Sequence, residues 1–293
     1  TVFVFGGSTT FGYRIADDET IPSHLQQWIR KEIDPSATVY NFGRGSYFAT
    51  QERVLFEKLV VQGYVPNMVI FIDGLNDFAI PEGEPAHTAA LKKLMDEGDK
   101  SSWDRLVREL PVTKFLFSVT SKNQDGVRNN GTEDSTQDVE TTAKKIIQRY
   151  RTDKKIIVSV AAAFGIKPVF VWQPVPIYEY DQQYNIFRSV DFGKRGPLLQ
   201  LGYKLMAAEY ESGALGDDFV WCAGIQKDAK SPLYVDAVHY SGEMADMIAK
   251  CIVTNIKQKG ISGNKKPVSF SVPGTYPAGD PSAQVPTRPE TRP

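Results

Sequence analysis

A chain of 293 residues carries 34 lysine and arginine side chains against 35 aspartates and glutamates, for a formal charge of -1. That balance excludes the basic footprint of a nucleic-acid binder and a polybasic membrane surface, and it points to small or neutral partners. The longest apolar run, near IIVSVAAAFGI, falls far short of the roughly 20 residues that cross a bilayer, so the chain reads as soluble as given; it opens at Thr1, inside an apparent strand and without a methionine, so a removed leader or anchor stays open.

Short β-rich apolar runs alternate with longer stretches of helical spacing, the pattern of a parallel sheet covered by helices on both faces. TVFVFG (1–6) reads as the first strand and IPSHLQQWIRKEI (21–33) as helix; ATVYNFG (37–43) is a second strand, followed by helical TQERVLFEKLVVQG (50–63) and the strand MVIFID (68–73). Residues 79–136 interrupt the repeat. They hold one helical patch, WDRLVRELPVTKFLFSVTS, and then the polar KNQDGVRNNGTEDSTQD, which lacks apolar periodicity and is expected to be mobile; a cap over the end of the sheet is a role open to this insertion. The alternation resumes with helical TAKKIIQRYRTDKKIIVSVAAAFG (142–165), strand KPVFVWQ (167–173), helical LLQLGYKLMAAEYES (198–212), a fifth strand within DFVWCAGI (218–225) and the helix SGEMADMIAKCIVTNIKQKG (241–260), which ends at a glycine. This order predicts an α/β fold of flavodoxin-like type, three α/β/α layers with a mainly parallel five-stranded sheet over residues 1–260. Residues 261–293 are proline-rich and predict an extended or disordered tail.

The two cysteines, Cys222 and Cys251, have neither CxxC spacing nor histidines at ligand spacing, so no metal is expected. The favoured reading is two buried thiols; a disulfide is the alternative in an exported protein. Asn130-Gly131-Thr132 is read as a polar loop rather than a glycosylation site.

Ligands of open parallel sheets bind at the carboxyl ends of the strands, so the turns there receive first scrutiny. Gly6-Gly7-Ser8-Thr9-Thr10 is compatible with a phosphate cradle, a helix-capping serine or an activated nucleophile. Asn41-Phe42-Gly43-Arg44-Gly45-Ser46 again joins glycines to a strand exit, leaving backbone N–H groups accessible. Asp73-Gly74-Leu75-Asn76-Asp77 offers a neutral amide donor in Asn76, able to stabilise an oxyanion or simply to cap the following segment, with Asp77 read as structural. Asp236-Ala237-Val238-His239 is the most informative. A carboxylate three residues before a histidine can hold Nδ1–H and aim Nε2 at a serine; the bland reading is a helix-capping aspartate beside a surface histidine. His24 and His87 have no such partner after a strand.

Taken together, FGGSTTFG, NFGRGS, GLND and DAVH resemble the four sequence blocks of the SGNH (GDSL-like) hydrolase family, in its order and at its strand ends, over about 260 residues. The resemblance implies Ser8 as nucleophile, His239 as general base, Asp236 as its orienting acid, and an oxyanion hole built from Ser8 N–H, a glycine-block N–H and Asn76. Two departures stand out. Gly7 takes the acidic position of G-D-S, as in a bacterial lipase- or esterase-like GGSTT branch, and the glycine-block donor falls on Gly45 or, in the other alignment, on Ser46.

The expected activity is hydrolysis of small acyl, carbohydrate or lipid esters through an acyl-enzyme, with no organic or metal cofactor. An acyltransferase using the same three residues is the first alternative, and a non-catalytic flavodoxin-like ligand or phosphate binder the second; no G-x-x-x-x-G-K-[ST] or G-x-G-x-x-G pattern follows the first strand. For the substrate, Arg44 and Trp172-Gln173-Pro174 are candidate cleft residues, as are Tyr234, Tyr240 and FLFS of the insertion, each against a bland reading as packing or solvated side chains.

Overall fold

The computed structural model describes residues 1–79, 136–193 and 195–261. The cap over the sheet, the FLFS wall, His87, the Asn130 sequon and the proline-rich tail beyond residue 261 lie outside the described residues.

Five strands, β1 (Val2–Gly6), β2 (Val39–Asn41), β3 (Met68–Asp73), β4 (Lys167–Trp172) and β5 (Phe219–Trp221), form one all-parallel sheet in the order β2-β1-β3-β4-β5. Each lies within its predicted run, because a strand buried on both faces reads as an unbroken apolar stretch. The order reverses at β1, and the crevice between the ends of β1 and β3 is where such a sheet receives a ligand.

Alternation along the strands sends two kinds of side chain to two faces. Phe3 and Phe5 of β1, Val69 and Phe71 of β3 and Phe170 and Trp172 of β4 build an aromatic face. The stacked Phe5–Phe71 pair has ring centroids 4.9 Å apart, and such pairs add about 0.5–1.5 kcal/mol beyond area burial. This face is covered by helices α3 (Ala49–Val61), α5 (Thr136–Ala163) and α6 (Arg195–Glu211). Val2, Val4, Ile70, Ile72, Val169 and Val171 build the opposite, aliphatic face under α2 (Ile21–Glu32) and α7 (Gly242–Gln258). Two short helices, α1 (Ser8–Phe11) and α4 (Leu75–Ala79), start directly after β1 and β3.

Two expectations are corrected. Helix α5 begins at Thr136, so it reaches back into the polar stretch read as irregular and mobile; Gln137 and Asp138 are exposed, and an exposed first turn has no apolar period to signal it. The cysteines are joined rather than free: Cys222 leaves β5 toward the aliphatic face, where α7 brings Cys251 to a Cα–Cα distance of 6.2 Å, within the span that a disulfide bridges. Among the described residues, no helix is long and apolar enough to cross a membrane.

Candidate active site

The first site turn is shaped by packing. Gly7 caps α1 in extended backbone, and a Cβ built on it would lie 2.4 Å from Asn76 Nδ2 and 3.2 Å from the Tyr47 carbonyl oxygen. A side chain at position 7 would displace the amide that α4 presents, so glycine in place of the family's acidic residue has a steric cause here. The chain then turns into α1 and leaves Ser8 half-buried at its first residue.

The last site turn is a tight loop closed by two main-chain bonds, Val235 N–H to His239 O at 2.9 Å and Ser241 N–H to Leu233 O at 2.9 Å. Within it Asp236 Oδ1 accepts the N–H groups of Val238 at 2.9 Å and His239 at 2.8 Å. The helix-capping reading of Asp236 is therefore displaced, since Ser241 caps α7. His239 Nδ1 lies 2.7 Å from Asp236 Oδ2, and Nε2 lies 2.9 Å from Ser8 Oγ. Two residues 231 positions apart are joined because α1 and this loop stand at the same end of the sheet.

Burial pushes the Asp236 carboxyl up, but the two backbone N–H groups and the imidazole outweigh it and hold the group below its ordinary value. Two residues that the sequence reading missed flank this pair. The Tyr13 ring packs on the His239 imidazole with centroids 4.9 Å apart, and Arg14 Nε lies 3.4 Å from Asp236 Oδ2. Arg14 adopts a φ of 70°, sparsely populated by residues other than glycine, in the turn that leaves α1. A hairpin-like return of α1 onto the histidine loop has no one-dimensional signature, and only the glycine at position 12 hinted at a turn.

Asn76 lies on α4, and its Nδ2 donates to the Tyr47 carbonyl at 2.7 Å, which orients the amide and leaves its second N–H uncommitted by that bond. In the glycine block, Phe42, Gly43, Arg44 and Tyr47 spend their N–H groups on Val4 O, Asn41 Oδ1, Gly6 O and Arg44 O. No hydrogen bond among the described residues uses the N–H of Ser8, Gly45 or Ser46. The steric demand for glycine falls at Gly43, whose Cβ would lie 2.4 Å from Phe11 N, whereas a Cβ on Gly45 would meet nothing within 4 Å. Ser46 takes a φ of 63°, so the left-handed position of this turn is filled by a residue other than glycine.

The expected cleft residues fare differently. Trp172, Gln173, Tyr234 and Tyr240 are all buried, so the packing reading replaces the cleft one. Gln173 has a task nonetheless: its Oε1 accepts from Thr9 Oγ1 at 2.8 Å and lies 2.9 Å from Tyr240 Oη, tying the neighbour of Ser8 to the neighbour of His239. Arg44 is exposed, with its guanidinium 5.7 Å from the centre of the Tyr47 ring.

No family model matches the chain, and no curated protein matches it. Among solved structures it is similar to a lipolytic protein of the G-D-S-L family from Desulfitobacterium hafniense DCB-2, at 15% identity over 87% of this chain and 98% of the other, with a TM-score of 0.45. A G-D-S-L lipolytic family member from Veillonella parvula DSM 2008 follows at 11% identity over 86% and 96%, TM-score 0.44, and an acetylxylan esterase from Geobacillus stearothermophilus, in a catalytic-mutant form, at 13% over 87% and 93%, TM-score 0.42. In this chain the residues of the four SGNH-like blocks meet at the carboxyl end of one parallel sheet, with serine, histidine and aspartate in hydrogen-bond sequence.

Proposed function

We propose that the protein is a serine hydrolase of the SGNH (GDSL-like) type, acting on ester bonds through an acyl-enzyme. The observation that carries this reading is the unbroken chain from Ser8 Oγ through His239 to Asp236. His239 Nε2 takes the Ser8 proton as Oγ attacks the ester carbonyl, and Asp236 keeps Nδ1 protonated and stabilises the imidazolium. Negative charge on the carbonyl oxygen is met by the Ser8 N–H, the free N–H of Asn76 and the N–H of Gly45 or Ser46. His239 returns the proton to the leaving alcohol, and water repeats the sequence on the acyl-enzyme. A phosphate cradle at the first turn would leave the Asp236–His239 pair without a task. Small acyl, carbohydrate or lipid esters are the substrate class, and the disulfide suits an oxidising compartment.

Incubation with a fluorophosphonate probe and intact-mass analysis tests the reading. The expected result is one adduct on Ser8, absent in Ser8→Ala and His239→Ala. No adduct on folded wild-type protein would overturn it. Turnover that rises with an added alcohol or sugar acceptor would assign transfer in place of hydrolysis.

A further inference from the structure

Four carboxyl groups are buried together on the aromatic face of the sheet, beside the turn that presents Asn76. Glu52 on α3, Asp73 at the end of β3, Asp77 on α4 and Asp153 on α5 are exposed by 1%, 3%, 1% and 4%. One of them is well provided for and a second only in part, with Asp77 Oδ1 left without a partner among the described residues. Asp153 accepts from Arg53 Nε at 2.8 Å and from Thr50 Oγ1 at 2.6 Å, while Asp77 Oδ2 accepts Gly74 N–H at 3.1 Å with the Arg149 guanidinium alongside, bonded to the Asp77 main-chain oxygen at 3.0 Å. Glu52 and Asp73 have no such supply. The two act on each other within this buried cluster, and both Glu52 oxygens and Asp73 Oδ1 lack a hydrogen-bond donor among the described residues.

Two ionised carboxylates are both acceptors, so they bond to each other only when one carries a proton, and an interior of low dielectric makes the doubly charged state costly. A metal ion would be the other way to neutralise them, but among the described residues no group of three or more histidine, cysteine, aspartate or glutamate side chains is placed to hold one. We propose that Glu52 and Asp73 form a carboxyl pair that shares a proton at neutral pH and ties α3 to the turn 74–77, making Glu52 a positioning residue for Asn76. The second half of this inference rests on the oxyanion role given to Asn76 above.

Burial, reinforced by the neighbouring aspartates, holds both groups well above the ordinary carboxyl range. The other described titratable groups facing them include Tyr150 on α5 and Tyr203 on α6, buried phenols that desolvation keeps from ionising, which leaves the Arg53 and Arg149 guanidiniums as the described positive charges beside the cluster. A raised pKa in the folded state has a definite sign. The pair's contribution to stability is complete below the unfolded carboxyl value of about 4 and is lost as pH rises toward the folded value.

The test compares Glu52→Gln, Glu52→Ala and Asp73→Asn with wild type in three measurements. Infrared spectroscopy of the wild type at neutral pH should show the carbonyl stretch of a buried protonated carboxyl, diminished in Glu52→Gln and in Asp73→Asn; its absence from wild type overturns the shared proton. Melting temperature against pH should fall less steeply above pH ~4 in Glu52→Gln than in wild type, and an unchanged slope overturns it as well. For the positioning role, Glu52→Gln should keep kcat within about threefold, whereas Glu52→Ala should cost about tenfold or more in wild type and little in an Asn76→Ala background. Equal losses in both backgrounds, or a Glu52→Gln as damaged as Glu52→Ala, overturn that role. If Glu52→Ala does not fold, the glutamine variant still decides. The infrared and thermal measurements need no substrate, so a failed ester-hydrolase reading would leave the proton sharing separately tested.

Discussion

Two groups of carboxyls stand near the same end of the sheet and are treated in opposite ways. Asp236, with a side chain 20% exposed, is met by two backbone N–H groups, an imidazole and the edge of Arg14, and its proton is held weakly. Glu52 and Asp73, almost wholly buried, have no matching donors among the described residues, and burial raises both above the ordinary carboxyl range. The difference teaches that burial alone does not decide the charge of an acid; the donors that fold around it do. In the proposed function the more exposed region moves a proton, and in the proposed pair the buried one holds it.

The largest effects should come from the exposed region. Ser8→Ala and His239→Ala are each expected to remove nearly all ester hydrolysis while leaving the melting temperature within a few degrees of wild type, checked by initial rates and a thermal scan; activity surviving in purified Ser8→Ala would break the contrast at its root. Asp236→Asn should cost up to about 10⁴-fold in kcat. The low value of Asp236 also has a definite sign in stability: its contribution is present above the ordinary carboxyl range and is lost as pH falls through the folded pKa, the reverse of the buried pair's trend. Melting temperature followed from neutral to acid pH in wild type and Asp236→Asn reads this trend.

At the seam between the regions, Asn76→Ala should lower kcat by about 10²- to 10³-fold with little change in KM. A loss confined to KM would make Asn76 a binding residue and sever the two regions. The disulfide serves as a control distant in role from both. Cys222→Ala with Cys251→Ala should cost about 3–4 kcal/mol of stability, as expected for a closed loop with a sequence separation of 29, without altering the pH slope of melting. Smallest of all, Arg14→Gln should change kcat by less than about tenfold, because an exposed ion pair contributes roughly 0–1 kcal/mol; a larger loss would mean that Arg14 belongs to the working part of the exposed region.

The sequence by itself determined the parallel sheet, since strands buried on both faces must read as unbroken apolar runs, and it determined which turns lie at the ligand-binding end. It also singled out Asp236 and His239, because a three-residue spacing on a turn is a local property that needs no fold to interpret. Only tertiary structure decided the rest. The Ser8–His239 contact, the Gln173 brace and the Cys222–Cys251 bond join residues far apart in the chain. Gly7 is explained only by the Asn76 amide and the Tyr47 carbonyl against it, and Glu52, in sequence an ordinary polar position of a helix, is a buried acid only because other elements pack over α3. Spacing along a chain reports neighbours on one element, whereas burial and charge depend on what other elements bring to the same place.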